Sequence, residues 1–135
     1  MEFNLEKRLM TIMARIHTFT GDDTNPNWDG LAAITYPQPE LQGIKKFLLV
    51  GKADEAENFE VRFFEFAPGA QSDHIRHNKE YGFYILEGKA RFKINDDEYI
   101  LSEKDVAYVS KGELLLITNE GEVPLRFMCV TTMGR

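Results

Sequence analysis

Nine short apolar runs, separated by glycine, proline, asparagine or aspartate, follow one another over residues 31–131. They span residues 31–36, 44–50, 59–66, 81–86, 89–94, 98–101, 106–109, 114–118 and 125–131. Short runs at a spacing of about 8–12 residues, with no helical periodicity between them, are typical of a β-sandwich or a barrel. Asn95, Asp96 and Asp97 separate two of these runs and favour a hairpin turn. The sequence therefore predicts an all-β fold.

The chain length of 135 residues suits one domain with a single core. We assign residues 1–20 to an N-terminal extension and residues 21–135 to the β-domain. Apolar residues recur in the extension at a nearly helical spacing, at Leu5, Leu9, Ile12 (or Met13) and Ile16. Either the extension is a short amphipathic helix that packs on the domain or on a neighbouring subunit, or it is disordered and the natural start is Met10 or Met13.

Charge and composition exclude several classes of function. The formal net charge is −6 and the pI is about 5.1, whereas proteins that bind nucleic acid or an anionic membrane surface usually present a basic face. The single cysteine, Cys129, excludes an intramolecular disulfide and a zinc finger. No apolar run is long enough for a signal peptide or a membrane helix, so we expect a cytoplasmic protein.

Two stretches carry histidine, glycine and asparagine at regular distances. The first holds Gly69, His77 and Gly88, and the second holds Gly112 and Asn119. They resemble the two conserved motifs of the cupin family, G-x5-H-x-H-x3-E-x6-G and G-x5-P-x-G-x2-H-x3-N. Lys104 and Ser110 stand where the second motif has its first glycine and its proline. The resemblance extends over residues 44–131 and implies a double-stranded β-helix, the jelly-roll barrel of the cupins.

The same resemblance places the four metal-ligand positions of the family at Ile75, His77, Tyr81 and Leu115. Isoleucine and leucine cannot bind a metal, and a tyrosine binds only as phenolate, with a pKa well below its usual 10. We therefore expect no metal cofactor. The alternative is a divalent transition metal held by His74, His77 and Glu80. Residues three apart on a strand face opposite sides, so that set requires a bulge or loop.

Alternation along the strands predicts the lining of the barrel. Counted from His77, the inward residues are Tyr81, Phe83 and Ile85 on one strand and Leu115, Ile117 and Asn119 on another. The run 59–66 contributes either Phe64 and Phe66 or Phe63 and Glu65, and the sequence leaves this choice open.

The ligand-binding residues predicted for this lining are Ile75, His77, Tyr81, Phe83, Leu115, Ile117 and Asn119. The pocket is expected to be apolar, with His77 and the Tyr81 hydroxyl as its main polar groups, and to match small-ligand sites. A barrel filled by its own side chains would have the same composition. Most nearby cations are expected to face solvent: Arg62, Arg76, Lys79, Lys89, Arg91 and Lys93.

Three functions remain open, and the sequence does not decide whether the protein is an enzyme or which small molecule it takes. The first is metal-independent binding of a small molecule, or a regulatory or scaffolding role. The second is a metal-dependent oxygenase, isomerase or decarboxylase. In the third, His77 and Tyr81 share a hydrogen bond and act as the catalytic acid and base, an arrangement similar to that of metal-free sugar-nucleotide epimerases. The family resemblance also implies a homodimer, with residues 31–50 as the expected contributor of a sheet edge.

Overall fold

The computed structural model describes residues 14–133. The predicted N-terminal helix positions Leu5, Leu9 and Ile12 (or Met13) lie outside this range. The described residues form two compact units, which are divided between Gly30 and Leu31. In the smaller unit, Phe19 pairs with Trp28 across a turn, and their rings meet edge to face at 5.4 Å. Asp22 closes that turn by accepting hydrogen bonds from the backbone of the residues that follow it.

The larger unit is built from nine strands. They are β1 (Ile34–Thr35), β2 (Ile44–Val50), β3 (Phe59–Phe66), β4 (Tyr81–Glu87), β5 (Ala90–Ile94), β6 (Asp97–Leu101), β7 (Val106–Val109), β8 (Leu115–Asn119) and β9 (Leu125–Thr132). Two 3₁₀ turns, Pro39–Leu41 and Lys52–Asp54, complete it. In the described part of the chain no helix is long and apolar enough to cross a membrane.

The predicted strands are confirmed, with one large difference. Three of them have the expected bounds, and five differ by one residue at one end or at both ends. The run 31–36 forms only the two-residue strand β1, because Pro37 cannot donate a backbone hydrogen bond and Pro39 begins a 3₁₀ turn. The predicted hairpin joins β5 to β6, with Asn95 at a φ of 56°.

The strands form two antiparallel sheets. The larger has the order β1-β2-β3-β9-β4-β7 and the smaller has the order β6-β5-β8. Single bridges at Gln71 and Ile75 run along the free side of β8 and extend the smaller sheet. This arrangement confirms the predicted all-β jelly-roll barrel.

Phenylalanine rings fill the space between the sheets. Phe92 of the smaller sheet meets Phe83 of the larger sheet edge to face at 5.0 Å. The ring centroid of Phe127 lies 5.2 Å from that of Phe64 and 5.5 Å from that of Phe66. The inward set of β3 is therefore Phe64 and Phe66, while Phe63 packs with Phe47 at 6.3 Å. Full burial of one such side chain contributes about 1.5–3 kcal/mol, so these rings dominate the core.

Backbone conformation explains why the motif glycines stand where they do. Gly69, Gly88 and Gly112 all have positive φ. At Gly88 a Cβ would also lie 2.7 Å from the carbonyl oxygen of Pro124, so any side chain would collide with the backbone. Lys104 replaces a motif glycine and still adopts a φ of 74°, which favours glycine.

Candidate functional site

A cavity of about 100 Å³ lies inside the barrel of the larger unit. Strands β3, β4, β8 and β9 and the segment before β4 all contribute to it. Its lining consists of Arg62, Phe64, Phe66, Ser72, Ile75, His77, Tyr81, Phe83, Ile117, Phe127 and Cys129. Strand register produces this set, because Arg62 pairs with Cys129, and Cys129 pairs in turn with Phe83. Directly paired residues of neighbouring strands share a face of the sheet, so these three side chains turn inward together.

Five of the seven residues predicted to bind a ligand line this cavity: Ile75, His77, Tyr81, Phe83 and Ile117. Leu115 instead lies in the closed core at 1% exposure. Asn119 is also buried away from the cavity lining, and its side chain ties backbone segments together. Its amide nitrogen donates to the carbonyl oxygens of Phe66 and Val123, and its amide oxygen accepts from the Gly121 N–H. Inward direction was predicted for both residues, but the depth of each along the barrel was not.

His77 lies at the exposed end of the cavity. Its ring is 6.3 Å from the ring of Tyr81, and the two planes are tilted by 47°. The hydrogen bond expected between these two side chains is not present. The backbone carbonyl of His77 accepts a hydrogen bond from the Gly112 N–H, which links the two sequence motifs.

Tyr81 supplies a hydroxyl group that has no hydrogen-bond partner among the described residues. The side chain is 7% exposed. Burial raises the pKa of the Tyr81 hydroxyl above its usual value of 10, and the positive charge of Arg62 opposes the rise only in part. The hydroxyl therefore stays protonated at neutral pH and can donate a hydrogen bond to a molecule in the cavity.

Arg62 is an exception to the expectation that most cations near these strands face solvent. It lies on the inward side of β3, two residues before Phe64, and its side chain is 19% exposed. Nε and Nη2 donate to Glu60 Oε1 at 3.0 and 2.5 Å. The sequence carried the signal for Arg62, because choosing the Phe64 and Phe66 set would have turned it inward as well.

The alternative metal set is not brought together. His74 is exposed and lies in a separate surface pocket beside Lys93 and Asp96. Glu80 accepts a hydrogen bond from the Tyr108 hydroxyl at 2.7 Å. Over residues 14–133 no group of three or more His, Cys, Asp and Glu side chains is placed to hold a metal ion.

The donor chemistry of the cavity itself does not fit a transition metal. Burial raises the pKa of the Cys129 thiol to about 12, so no thiolate is present near neutral pH. The phenol of Tyr81 is protonated as well, which leaves the His77 imidazole as the one ready ligand of the lining. A single imidazole does not compete with water for a divalent ion.

Comparison with known proteins relates the chain to one family. Residues 62–131 match the family model for the cupin domain. No curated protein matches the sequence of the chain.

Several solved structures share its fold. The polyketide cyclase RemF from Streptomyces resistomycificus is 20% identical, with a TM-score of 0.73 over 92% of this chain and 82% of the cyclase. A cupin 2 conserved barrel domain protein from Rhodopseudomonas palustris is 22% identical, with a TM-score of 0.73 over 90% and 82%. A cupin superfamily sugar phosphate isomerase from Silicibacter pomeroyi is 22% identical, with a TM-score of 0.67 over 78% and 73%. The cyclase and the isomerase are named for different chemistry, so the shared fold does not select a reaction.

Proposed function

This chain belongs to the cupin family, and we propose that its barrel binds a small, partly apolar molecule without a metal ion. The observation that carries the proposal is the lining of the cavity. Aromatic rings and aliphatic side chains form most of it, and a few polar groups stand among them. Ligand pockets of proteins have this composition, with polar groups that fix the orientation of the ligand.

The size of the cavity limits the ligand. A dry cavity of about 150 Å³ lined by apolar side chains binds benzene. The cavity here is about 100 Å³ and is continuous with solvent at the end where His77 lies. The ligand is therefore no larger than a single small ring, or a branched chain of similar bulk, with its substituent directed toward the mouth, and a fused ring system is too large.

Ligand-dependent melting of the purified protein tests the proposal. Single-ring compounds are expected to raise the melting temperature, since a ligand at 100 times its Kd stabilises the folded state by about 2.7 kcal/mol. Ile117→Phe, which fills the cavity, is expected to abolish the shift. Ile100→Phe is the matched control, because Ile100 is 49% exposed on β6. If no compound of the panel raises the melting temperature of the parent protein or of the control, the result argues against binding in the barrel.

Elemental analysis of protein purified without a histidine tag tests the metal-dependent alternative. We expect far less than one equivalent of any transition metal. About one equivalent that disappears in His77→Ala would contradict metal-independent function and favour a cupin metalloenzyme.

A second candidate is acid–base catalysis by His77 and Tyr81. Both side chains line the cavity, and neither is engaged in a side-chain hydrogen bond with another described residue. Both are therefore available to a bound substrate, as general acid–base catalysis requires. This candidate predicts that Tyr81→Phe abolishes turnover and leaves the melting temperature nearly unchanged. Retention of turnover in that variant would exclude Tyr81 as the acid or base.

A further inference from the structure

The charged groups at the open end of the cavity define the chemical class of the ligand. We propose that the ligand is a small carboxylate whose apolar ring enters the cavity and whose carboxylate binds Arg62 at the mouth. This inference rests on the proposed function, because it assigns the chemistry of a molecule in the same cavity.

Arg62 has hydrogen-bonding capacity that its protein partner does not use. A guanidinium carries five N–H donors, and Glu60 accepts from two of its nitrogens through one oxygen. No other described residue accepts from Nη1. None of the guanidinium nitrogens of Arg62 is buried without a hydrogen-bond partner. The N–H groups that Glu60 does not engage are therefore open to solvent or to a ligand. Arginine in this condition suits a carboxylate, whose two oxygens match its planar donors.

Cations outnumber carboxylates around this point. Lys46 pairs with Phe64 across β2 and β3, so it turns to the same face as the cavity lining. The positive charges of Arg62 and Lys79 disfavour the charged form of Lys46, and the carboxylate of Glu60 favours it. Neither lysine forms an ion pair within the described part of the chain.

This local excess of positive charge is notable in a chain with a net charge of −6. Loss of hydration lowers the pKa of Lys46 from its usual range, and repulsion from Arg62 lowers it further. An anion at the mouth would relieve that repulsion.

The apolar part of the ligand is defined by the rings that line the cavity together with Arg62. Phe83 stacks on Tyr81 with ring centres 5.9 Å apart, and Phe64 stacks on Phe127 at 5.2 Å. Flat apolar walls of this kind accept a planar ring. The protonated Tyr81 hydroxyl provides another donor to the carboxylate from the same wall. A bulky phosphosugar or nucleotide lacks an apolar part that fits a cavity of about 100 Å³.

Calorimetric titration with benzoate, benzamide and inorganic phosphate tests the inference. Benzamide has the shape of benzoate without its charge, and phosphate has charge without a ring. Because hydrogen bonds to charged groups stabilise more than neutral ones, benzoate is expected to bind about 10- to 100-fold more tightly than benzamide. Phosphate is expected to bind far more weakly than benzoate.

Substitutions at Arg62 and at Glu60 should move benzoate affinity in opposite directions. Arg62→Gln is expected to remove the preference for benzoate over benzamide, and Arg62→Lys to retain part of it. Glu60→Gln removes the negative charge that competes with the ligand for Arg62 and is expected to strengthen benzoate binding. Lys93→Gln is the matched control, since Lys93 is exposed on β5 and should leave both affinities unchanged. Circular dichroism of each variant shows that it is folded.

The outcomes separate this inference from the proposed function. Equal affinity for benzoate and benzamide, both lost in Ile117→Phe, would overturn the carboxylate and leave binding in the barrel intact. Failure of both ligands to bind would overturn the inference, and failure of the whole panel of single-ring compounds in the melting assay would overturn the proposed function as well. Phosphate binding as tight as benzoate and dependent on Arg62 would show a simple anion site and exclude the ring.

Discussion

Truncation of Phe127 tests whether the wall of the cavity is also the main core of the barrel. Phe127 is 1% exposed and lies on β9 in the middle of the larger sheet. Its ring contacts those of Phe64, Phe66, Phe83 and Phe92 at centroid distances of 5.2, 5.5, 5.7 and 6.5 Å. We expect Phe127→Ala to destabilise the protein strongly and to enlarge the cavity.

The magnitude follows from this environment. Replacing a buried phenylalanine by alanine costs about 3–5 kcal/mol through lost transfer energy and the void left behind. Four ring neighbours place Phe127 toward the upper part of that range, at about 4 kcal/mol. Domains have unfolding free energies of about 5–15 kcal/mol, so the variant should fold but be marginal. For a domain of this size the melting temperature should fall by about 10–20 °C.

Urea unfolding followed by circular dichroism, which reports loss of the strands, measures the difference. Phe59→Ala is the matched control, because Phe59 is the same residue type at 48% exposure on β3. It should change the unfolding free energy by less than about 1 kcal/mol. A cost for Phe127→Ala below about 1.5 kcal/mol, or equal to that of Phe59→Ala, would refute the view that these rings form one packed core.

Four further predictions concern other parts of the molecule. Asn119→Ala leaves a buried carbonyl oxygen of Phe66 and the Gly121 N–H without their partner, so urea unfolding should show a loss of about 2–4 kcal/mol; a loss below 1 kcal/mol would contradict this. Lys104→Gly relieves a φ of 74° and should raise stability by about 0.5–1 kcal/mol, whereas Lys104→Ala should not. Burial raises the pKa of Cys129 from 9.0 to about 12, so its contribution to stability is fully present below pH 9 and is lost as the pH rises toward 12. Between pH 9 and 10, the parent protein should therefore lose about 1 kcal/mol more than Cys129→Ser, and parallel pH curves would argue against a buried thiol. Light scattering should find a homodimer, since β1 leaves a sheet edge open, and a monomer would contradict the expectation drawn from the family resemblance.

Much of the fold could be read from local signals in the sequence. Short apolar runs indicate strands, and residues that tolerate positive φ, such as Asn95, indicate hairpin turns. Gly88 marks a turn with a φ of 89°, which glycine adopts without strain. Each of these requirements acts within a few residues, so the pattern of nine strands was predictable to within one residue nearly everywhere. The exception was β1, where two prolines shortened the pairing.

The content of the site depended on which strands lie side by side. Alternate residues of β3 form two sets, and either set could face inward. Both sets contain aromatic side chains, so the run 59–66 alone could not select the inward set. Pairing of Phe64 with Phe127 and of Arg62 with Cys129 made that choice, and with it Arg62 entered the mouth of the cavity. The depth of Asn119 was set in the same way, by backbone atoms 53 residues away at Phe66. The sequence by itself determined the strands and the turns, because these follow from local geometry, and the barrel was implied by the resemblance to the cupin family. Only the tertiary structure decided which polar groups share the cavity, because that depends on register between strands that are distant in the chain.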